Sequence, residues 1–535
     1  MSVSSESLLL STRGLPGRDA FRTVHVGAVA LCAIMLPWST AILSMAQMLL
    51  VVNWLAEGIV RKDFTGRSRR TFTSAPSLVF LSIFGLHVLG LLWTTDLKWG
   101  VDLVRILLPI LSVGAVLAGS SRLSIPEFRT VLSLGAWSVI ASTFVCLLMR
   151  TGDTTDYRSL SVFISHIRLT LLLCLAIVVF LLDRGGPLWL RIAGYCAVPW
   201  AVLFINKLGS IQGFFILFVV AAVFLWRWVG GQRRTMKWGV RVALVALPLM
   251  ALLMGVQEVR ARYRLPDPEL AKIFQKSVGG EMYTHDIVNP QTENGTHVWT
   301  WIAWNELRTT WPLRSRRGIE ERDDKGHQVL GTLVRYLASK GERKDSIAVM
   351  GLTDLQVREI EQGIPNVLHG QRSTLRERVD EVFFELEHYY AYGAADGHSV
   401  AMRLEYLKAG AAIATREWII GVGTGDTRTA FAEQYERMRT SLSMEWRHRA
   451  HNEYLTVWIS FGVFGLLWAL FAFWWPARKS MAWSDPLFIA WSIIFGISCF
   501  TDDTIETQAG ATFFGFYYAL LVFGAPRSVT TAAQA

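Results

Sequence analysis

The chain has 535 residues, 52% of them hydrophobic and only 18% charged, with a mean hydropathy of +0.33. That balance excludes an ordinary soluble enzyme and a disordered chain alike. The net charge of +10 sits largely on Arg and Lys between apolar stretches, so it reads as membrane topology and argues against nucleic-acid binding.

Arg13, Arg18 and Arg22 precede Val24 without a convincing cleavage site. This start reads as a cytoplasmic tail feeding a first span, not a removed signal peptide. Lipid solvates no free backbone polar group, so apolar stretches near 20 residues predict spanning helices. The sequence predicts twelve, near 24–38, 41–60, 77–95, 99–118, 129–149, 165–182, 188–205, 209–229, 239–256, 451–475, 485–501 and 508–525. Pro37 sits at the join of the first pair. The connection after the second span holds Arg61, Lys62, Arg67, Arg69 and Arg70, and the following even-numbered connections are also basic. The odd ones, such as 38–40, 94–99 and 206–208, are poorer in charge. Both termini are therefore expected in the cytoplasm and the polar stretch 257–450 outside. The expected organisation is a membrane bundle over 1–256 with nine spans, a helical external loop domain over 257–450, and three spans over 451–535.

Within the loop, helices are predicted over 266–278, 295–310, 328–340, 353–362, 375–392 and 402–415. The fourth opens Thr353-Asp354-Leu355-Gln356, a capping pattern. The 22 Trp and 13 Tyr suit membrane interfaces. All five cysteines (Cys32, Cys146, Cys174, Cys196 and Cys499) fall in apolar segments, which leaves no disulfide framework or CxxC metal site. The fold class expected is an all-α polytopic membrane protein with a large helical external loop.

Three groups of residues could carry chemistry. Arg168, in Ser165-His166-Ile167-Arg168, opens the sixth span, where a cation either snorkels to the interface or faces an internal cavity. Asp102 and Arg105 are three apart on one helical face and read as a structural pair. Gly421-Val422-Gly423-Thr424-Gly425-Asp426 could bring backbone close to a phosphate or sugar, with Asp426 capping a helix over 427–438; the plain alternative is a helix–helix turn. His448-Arg449-Ala450-His451-Asn452-Glu453-Tyr454 opens the tenth span. A His at the mouth of a span can take a proton near neutral pH, and an adjacent carboxamide and carboxylate could orient an acceptor hydroxyl. Asp502, Asp503, Glu506 and Gln508 lie between the last two spans, where their ordinary role is helix-terminal charge and a solvated turn. No zinc His-Glu-x-x-His motif or Gly-x-Ser-x-Gly elbow is present.

Taken in order, these pieces resemble the O-antigen ligase and polymerase superfamily, whose fold is C-type glycosyltransferase-like. The likeness rests on Arg403 in Met402-Arg403-Leu404-Glu405-Tyr406-Leu407-Lys408, on Arg416 leading into the glycine turn, and on His451-Asn452-Glu453-Tyr454-Leu455 followed by Gly462 and Gly465. Ser165–Arg168 and Thr504–Gly510 look like a branch common in the Bacteroidetes. The topology covers the whole chain and the motifs mainly 160–212 and 400–510.

The resemblance implies glycosyl transfer on the periplasmic face of the bacterial inner membrane. A glycan on undecaprenyl pyrophosphate would move to an acceptor hydroxyl, on lipid A-core for a ligase, with inversion and with no metal, nucleotide or other cofactor. It assigns catalytic roles to His451 and Arg403, with Asn452 and Glu453 as helpers. Substrate contacts fall to Arg168, Lys207, Gln212, Arg416, Gly423, Gly425 and Asp426. Where the family often has Ser-Arg at the start of the eighth span, this chain has Lys207-Leu208-Gly209-Ser210-Ile211-Gln212-Gly213. Lys207 or Arg168 would supply the missing charge. Polymerase and protein O-glycosyltransferase share these motifs. A transporter with Arg168 and Asp102 lining a path is the alternative of another class, against which stands the lack of an inverted repeat.

Overall fold

The computed structural model describes residues 19–149, 157–262, 265–368 and 395–526, with single positions at 382, 383, 385, 386, 389 and 393. The tail carrying Arg13 and Arg18, and most of the helix predicted over 375–392, lie outside the described residues.

The protein is an all-α polytopic membrane protein. Among the described residues, eight helices are long and apolar enough to cross a membrane, and four shorter apolar ones, Ala20–Met35, His166–Leu182, Pro486–Thr501 and Gln508–Gly524, also fall on predicted spans. Local chemistry sets their ends. The first helix stops at Met35, ahead of Pro37, and the next starts at Thr40 with the Ser39 hydroxyl accepting from the Ile42 N–H. Ser124 and Glu127 form a reciprocal capping box at the start of Ile125–Leu148. The stretch 97–119 divides at Leu107 into Leu97–Ile106 and Leu108–Gly119, because Pro109 has no N–H to donate and its ring crowds the preceding turn.

The chain forms two compact units. One comprises residues 1–221 and 384–535. Within it His166–Leu182 is buried along most of its length and packed by Ile125–Leu148, Leu188–Lys207 and Pro486–Thr501. Glu453–Lys479 packs on Ala75–Leu89 and on Ser399–Arg416, while Gln508–Ala519 packs on Leu108–Gly119. The 384–450 part of the polar stretch therefore folds in the same unit as the membrane helices.

The other unit comprises 222–383. It contains the apolar helix Arg234–Arg262 and a polar part built on Val298, Ile302, Leu307, Trp311, Leu333 and Ile360. Asp354–Glu361 has the expected Thr353–Gln356 capping box, and Val329–Ser339 fills the predicted helix there. Pro268–Lys272 is only a short 3₁₀ turn, and within 295–310 only Trp304–Thr310 is α-helical. A two-residue hairpin pairs Thr292–Glu293 with Thr296–His297 through Gly295 at φ 85°. Local turn chemistry thus shortens both predicted helices.

Glu453–Lys479 is broken at Gly462 (φ 67°, ψ −175°). A Cβ there would lie 1.9 Å from the Ile419 carbonyl oxygen. Gly462→Ala should therefore destabilise the protein by more than the about 1–3 kcal/mol of left-handed strain alone. Thermal unfolding in detergent checks this against Gly27→Ala, at a position where an added Cβ meets nothing within 4 Å.

Candidate active site

Four helix ends meet at one end of the first unit. His166–Leu182 begins there, with the Ser165 hydroxyl accepting from the Arg168 N–H, and Glu453–Lys479 begins there, with Asn452 as its cap. Pro486–Thr501 ends there and Gln508–Ala519 starts after Thr507. The 502–507 connection lies between them.

Arg168 neither snorkels nor stands free. It is 7% exposed, forms an ion pair with Asp502, and donates to the Thr507 hydroxyl (3.4 and 3.3 Å) and the Asp503 carbonyl (3.4 Å). The other carboxylate oxygen of Asp502 faces His451 Nδ1 at 3.3 Å. Burial raises the Asp502 pKa, but the His451 hydrogen bond and the Arg168 charge reverse that and leave it below the usual carboxylate range. Asp502 and Asp503 are buried, so the expectation of a solvated turn is corrected. Packing of Pro486–Thr501 against His166–Leu182 carries this connection inside.

His451 takes φ 46°, a left-handed conformation, one residue before the helix cap. Its ring is 36% exposed, and Nε2 has no hydrogen-bond partner among the described residues. The turn leading to it is fixed from two sides: the Tyr406 hydroxyl donates to the Trp446 carbonyl (2.6 Å) and the Tyr435 hydroxyl to the His448 carbonyl (2.5 Å). The Tyr406 ring lies 5.6 Å from that of His451 and 6.0 Å from that of His448. Burial pushes the Tyr406 phenol up to about 12 despite the opposing charge of Arg403. Arg403 lies one turn earlier on the same helix, close enough for its charge to act on the Tyr406 phenol.

Asn452 and Glu453 point elsewhere. The Asn452 carboxamide accepts from the Leu455 N–H (3.0 Å) and donates to the Phe500 carbonyl (3.2 Å), and its backbone N–H donates to Asp503 (3.1 Å). Glu453 is buried and accepts from the Ile505 N–H (3.0 Å), while the Thr456 hydroxyl donates to Asp503 (2.9 Å). Together they clamp the 502–507 connection so that Asp502 reaches His451. Arg449 pairs with Glu506. Glu453 also lines an apolar cavity of about 100 Å³ with Leu86, Val457, Leu470, Phe473 and Phe514.

The glycine turn packs on protein. A Cβ at Gly423 would lie 2.5 Å from Thr94 Oγ1 and one at Gly425 2.1 Å from the Asp96 carbonyl oxygen. The expected helix Thr427–Met438 is present, but the Asp426 side chain does not cap it. Its carboxylate accepts instead from Thr95 N–H (2.8 Å), Thr95 O–H (3.0 Å) and Asp96 N–H (2.7 Å). Arg416 pairs with Glu417 and donates to Gln434 (2.8 Å). Lys207 ends its helix with an exposed side chain, and Gln212 lies in the first turn of the next, its amide nitrogen buried without a hydrogen-bond partner among the described residues. The structure brings His451 and Arg168 onto Asp502 and sets Tyr406, one turn from Arg403, against His451; Gly423, Gly425 and Asp426 lie in the turn that follows the helix ending at Arg416. Sequence reasoning missed Tyr406 and the central place of Asp502. Their signals were Tyr406 one turn from Arg403, and two adjacent acids at the end of an apolar helix.

Fold and site together define a multi-pass membrane protein with a His–carboxylate–Arg cluster where its helix ends converge. The O-antigen ligase family model matches residues 357–470, a segment holding Arg403 and His451, and this match supports membership of the O-antigen ligase superfamily. No curated protein matches the chain.

Proposed function

We propose that this protein transfers a glycan from undecaprenyl pyrophosphate to an acceptor hydroxyl on the periplasmic face of the inner membrane, with ligation to lipid A-core as the leading reaction. The observation that carries this is His451, inside the O-antigen ligase match, with one ring nitrogen on Asp502 and the other without a hydrogen-bond partner among the described residues.

In this reading His451 Nε2 accepts the acceptor's proton as its oxygen attacks the anomeric carbon. Asp502 holds the ring and the resulting imidazolium charge. The anomeric C–O bond breaks on the opposite face, so the product is inverted, and the electron pair leaves with the pyrophosphate. Arg403 meets the charge developing on that leaving group, with Arg168 behind it. The apolar cavity between Ala75–Leu89, Glu453–Lys479 and the last two helices suits the first part of a prenyl tail. No metal or nucleotide is invoked. The loop domain over 257–450 is read as periplasmic and both termini as cytoplasmic.

The test is transfer of radiolabelled lipid-linked glycan by the purified protein in liposomes. Glycan movement across the bilayer without transfer would favour a transporter, and chain lengthening without a core acceptor would favour a polymerase. Arg403→Ala should cost about 2–4 kcal/mol of transition-state stabilisation, the range for losing one such donor. Arg403→Lys should recover little, because an ammonium lacks the planar fork. Wild-type rates for both would remove Arg403 from the reaction. Topology has its own check: a cysteine at Ser346 should react with an impermeant maleimide once the outer membrane is opened, whereas protection there with labelling at the C-terminus would invert the orientation.

A further inference from the structure

The glycine turn has a second property. It follows a polar helix, yet Trp418, Ile419 and Ile420 are 52%, 44% and 61% exposed. Three consecutive bare apolar side chains in a segment flanked by Arg416, Glu417 and Asp426 call for a partner.

The backbone shows how deep the turn sits. The Val422 and Gly423 N–H groups donate to the Ile459 and Ser460 carbonyls (2.8 and 2.9 Å). Those carbonyls are freed from the helix ladder by the break at Gly462. In return the Val463 N–H donates to the Trp418 carbonyl (2.7 Å). On the other side the Thr424 N–H reaches the Gly90 carbonyl (3.3 Å) and its hydroxyl the His87 carbonyl (2.6 Å). Gly421 and Gly423 have φ of 75° and 93°, and a Cβ on Gly421 would lie 2.5 Å from the Phe461 nitrogen. The turn is thus threaded between two helices that are both long and apolar enough to span, with its donors and acceptors matched to theirs. Irregular backbone survives at membrane depth only under that condition.

Depth follows from the helix rise. Gly462 precedes Arg478, the first cation at the far end of Glu453–Lys479, by 16 residues, or about 24 Å at 1.5 Å per residue. A hydrocarbon core of about 30 Å measured from Arg478 therefore includes Gly462 and the turn docked on it.

We infer that residues 418–423 form a re-entrant turn in the outer-leaflet margin of the bilayer, with Trp418, Ile419 and Ile420 resting on lipid acyl chains. The glycines serve that insertion by letting backbone meet backbone. The part of the polar stretch that folds with the membrane helices is thereby anchored to the bilayer at a point between Arg403 and His451 in sequence.

Spin labels on single cysteines at Ile419 and Ile420 test this, in full-length protein with its five native cysteines replaced by alanine and reconstituted in phosphatidylcholine vesicles. Both side chains are exposed, so the substitutions remove little packing; monodisperse elution checks folding before labelling. The ratio of collision rates with oxygen and with a water-soluble nickel chelate is compared with two references. Phe464, 65% exposed on the same spanning helix, reports lipid, and Glu436, whose side chain is 72% exposed, reports water. Ratios at Ile419 and Ile420 matching Phe464 and several-fold above Glu436 are expected. A ratio at either site matching Glu436 overturns the insertion, whatever the transfer activity.

Discussion

His451→Ala and His451→Gln are each expected to lower glycan transfer by about 10²–10⁴-fold, the range for losing a general base. The glutamine variant separates two roles. Its amide can still donate to Asp502 as Nδ1 does at 3.3 Å, but it cannot carry a proton away from the acceptor. His448→Ala should stay close to wild type. The His448 ring lies 6.2 Å from that of His451, and what the fold uses is its carbonyl, held by the Tyr435 hydroxyl, which alanine retains. Burial, then the charges of His451 and Arg449, lower the His448 pKa and make it the poorer acceptor. The transfer rate should fall on acidification, because a protonated imidazole cannot accept a proton. Asp502 is held below the usual carboxylate range and stays ionised as the pH falls, so the loss belongs to the ring. Full rate in His451→Gln with an unchanged pH profile would leave His451 only a positioning role.

The spans were legible because lipid imposes a simple demand, about 20 apolar residues per crossing, on every one of them. His451 was legible because a titratable residue at the mouth of a span is costly without a use. What stayed hidden was pairing between distant segments. Nothing in one sequence says that Asp502 lies against Arg168, 334 positions away, since that contact follows from two apolar helices packing through interchangeable side chains. The same holds for Asn452 and Glu453. Beside His451 they look like its helpers, but the helix start turns them toward Phe500 and Ile505. For the glycine turn, φ above zero and close approach were readable, yet a ligand and a backbone make the same demand on glycine. Only the position of Ile459 and Ser460 shows which one it meets.

The Arg168–Asp502 pair changes what Arg168→Ala should do. As a free cation Arg168 could be removed without harm to the fold. As the partner of a buried carboxylate it leaves Asp502 uncompensated, and the expected loss is about 3–5 kcal/mol. Asp502→Ala should cost a similar amount, because it strands the guanidinium among Thr507 and the Asp503 carbonyl. The double variant should recover part of the stability, with a coupling of about 1–3 kcal/mol in a double-mutant cycle read by thermal unfolding in detergent. Coupling near zero would make the pair incidental. Activity divides the remaining roles. If the double variant regains stability but not transfer, Arg168 or Asp502 acts on substrate or on His451, as proposed. If it regains both, the pair only neutralises itself, and the charge on the leaving pyrophosphate falls to Arg403 alone. Arg168→Lys adds the finer cut. An ammonium keeps the charge beside Asp502 but cannot also span Thr507 and the Asp503 carbonyl in one plane. Stability near wild type with reduced transfer is therefore expected, the signature of a cation whose geometry matters more than its sign.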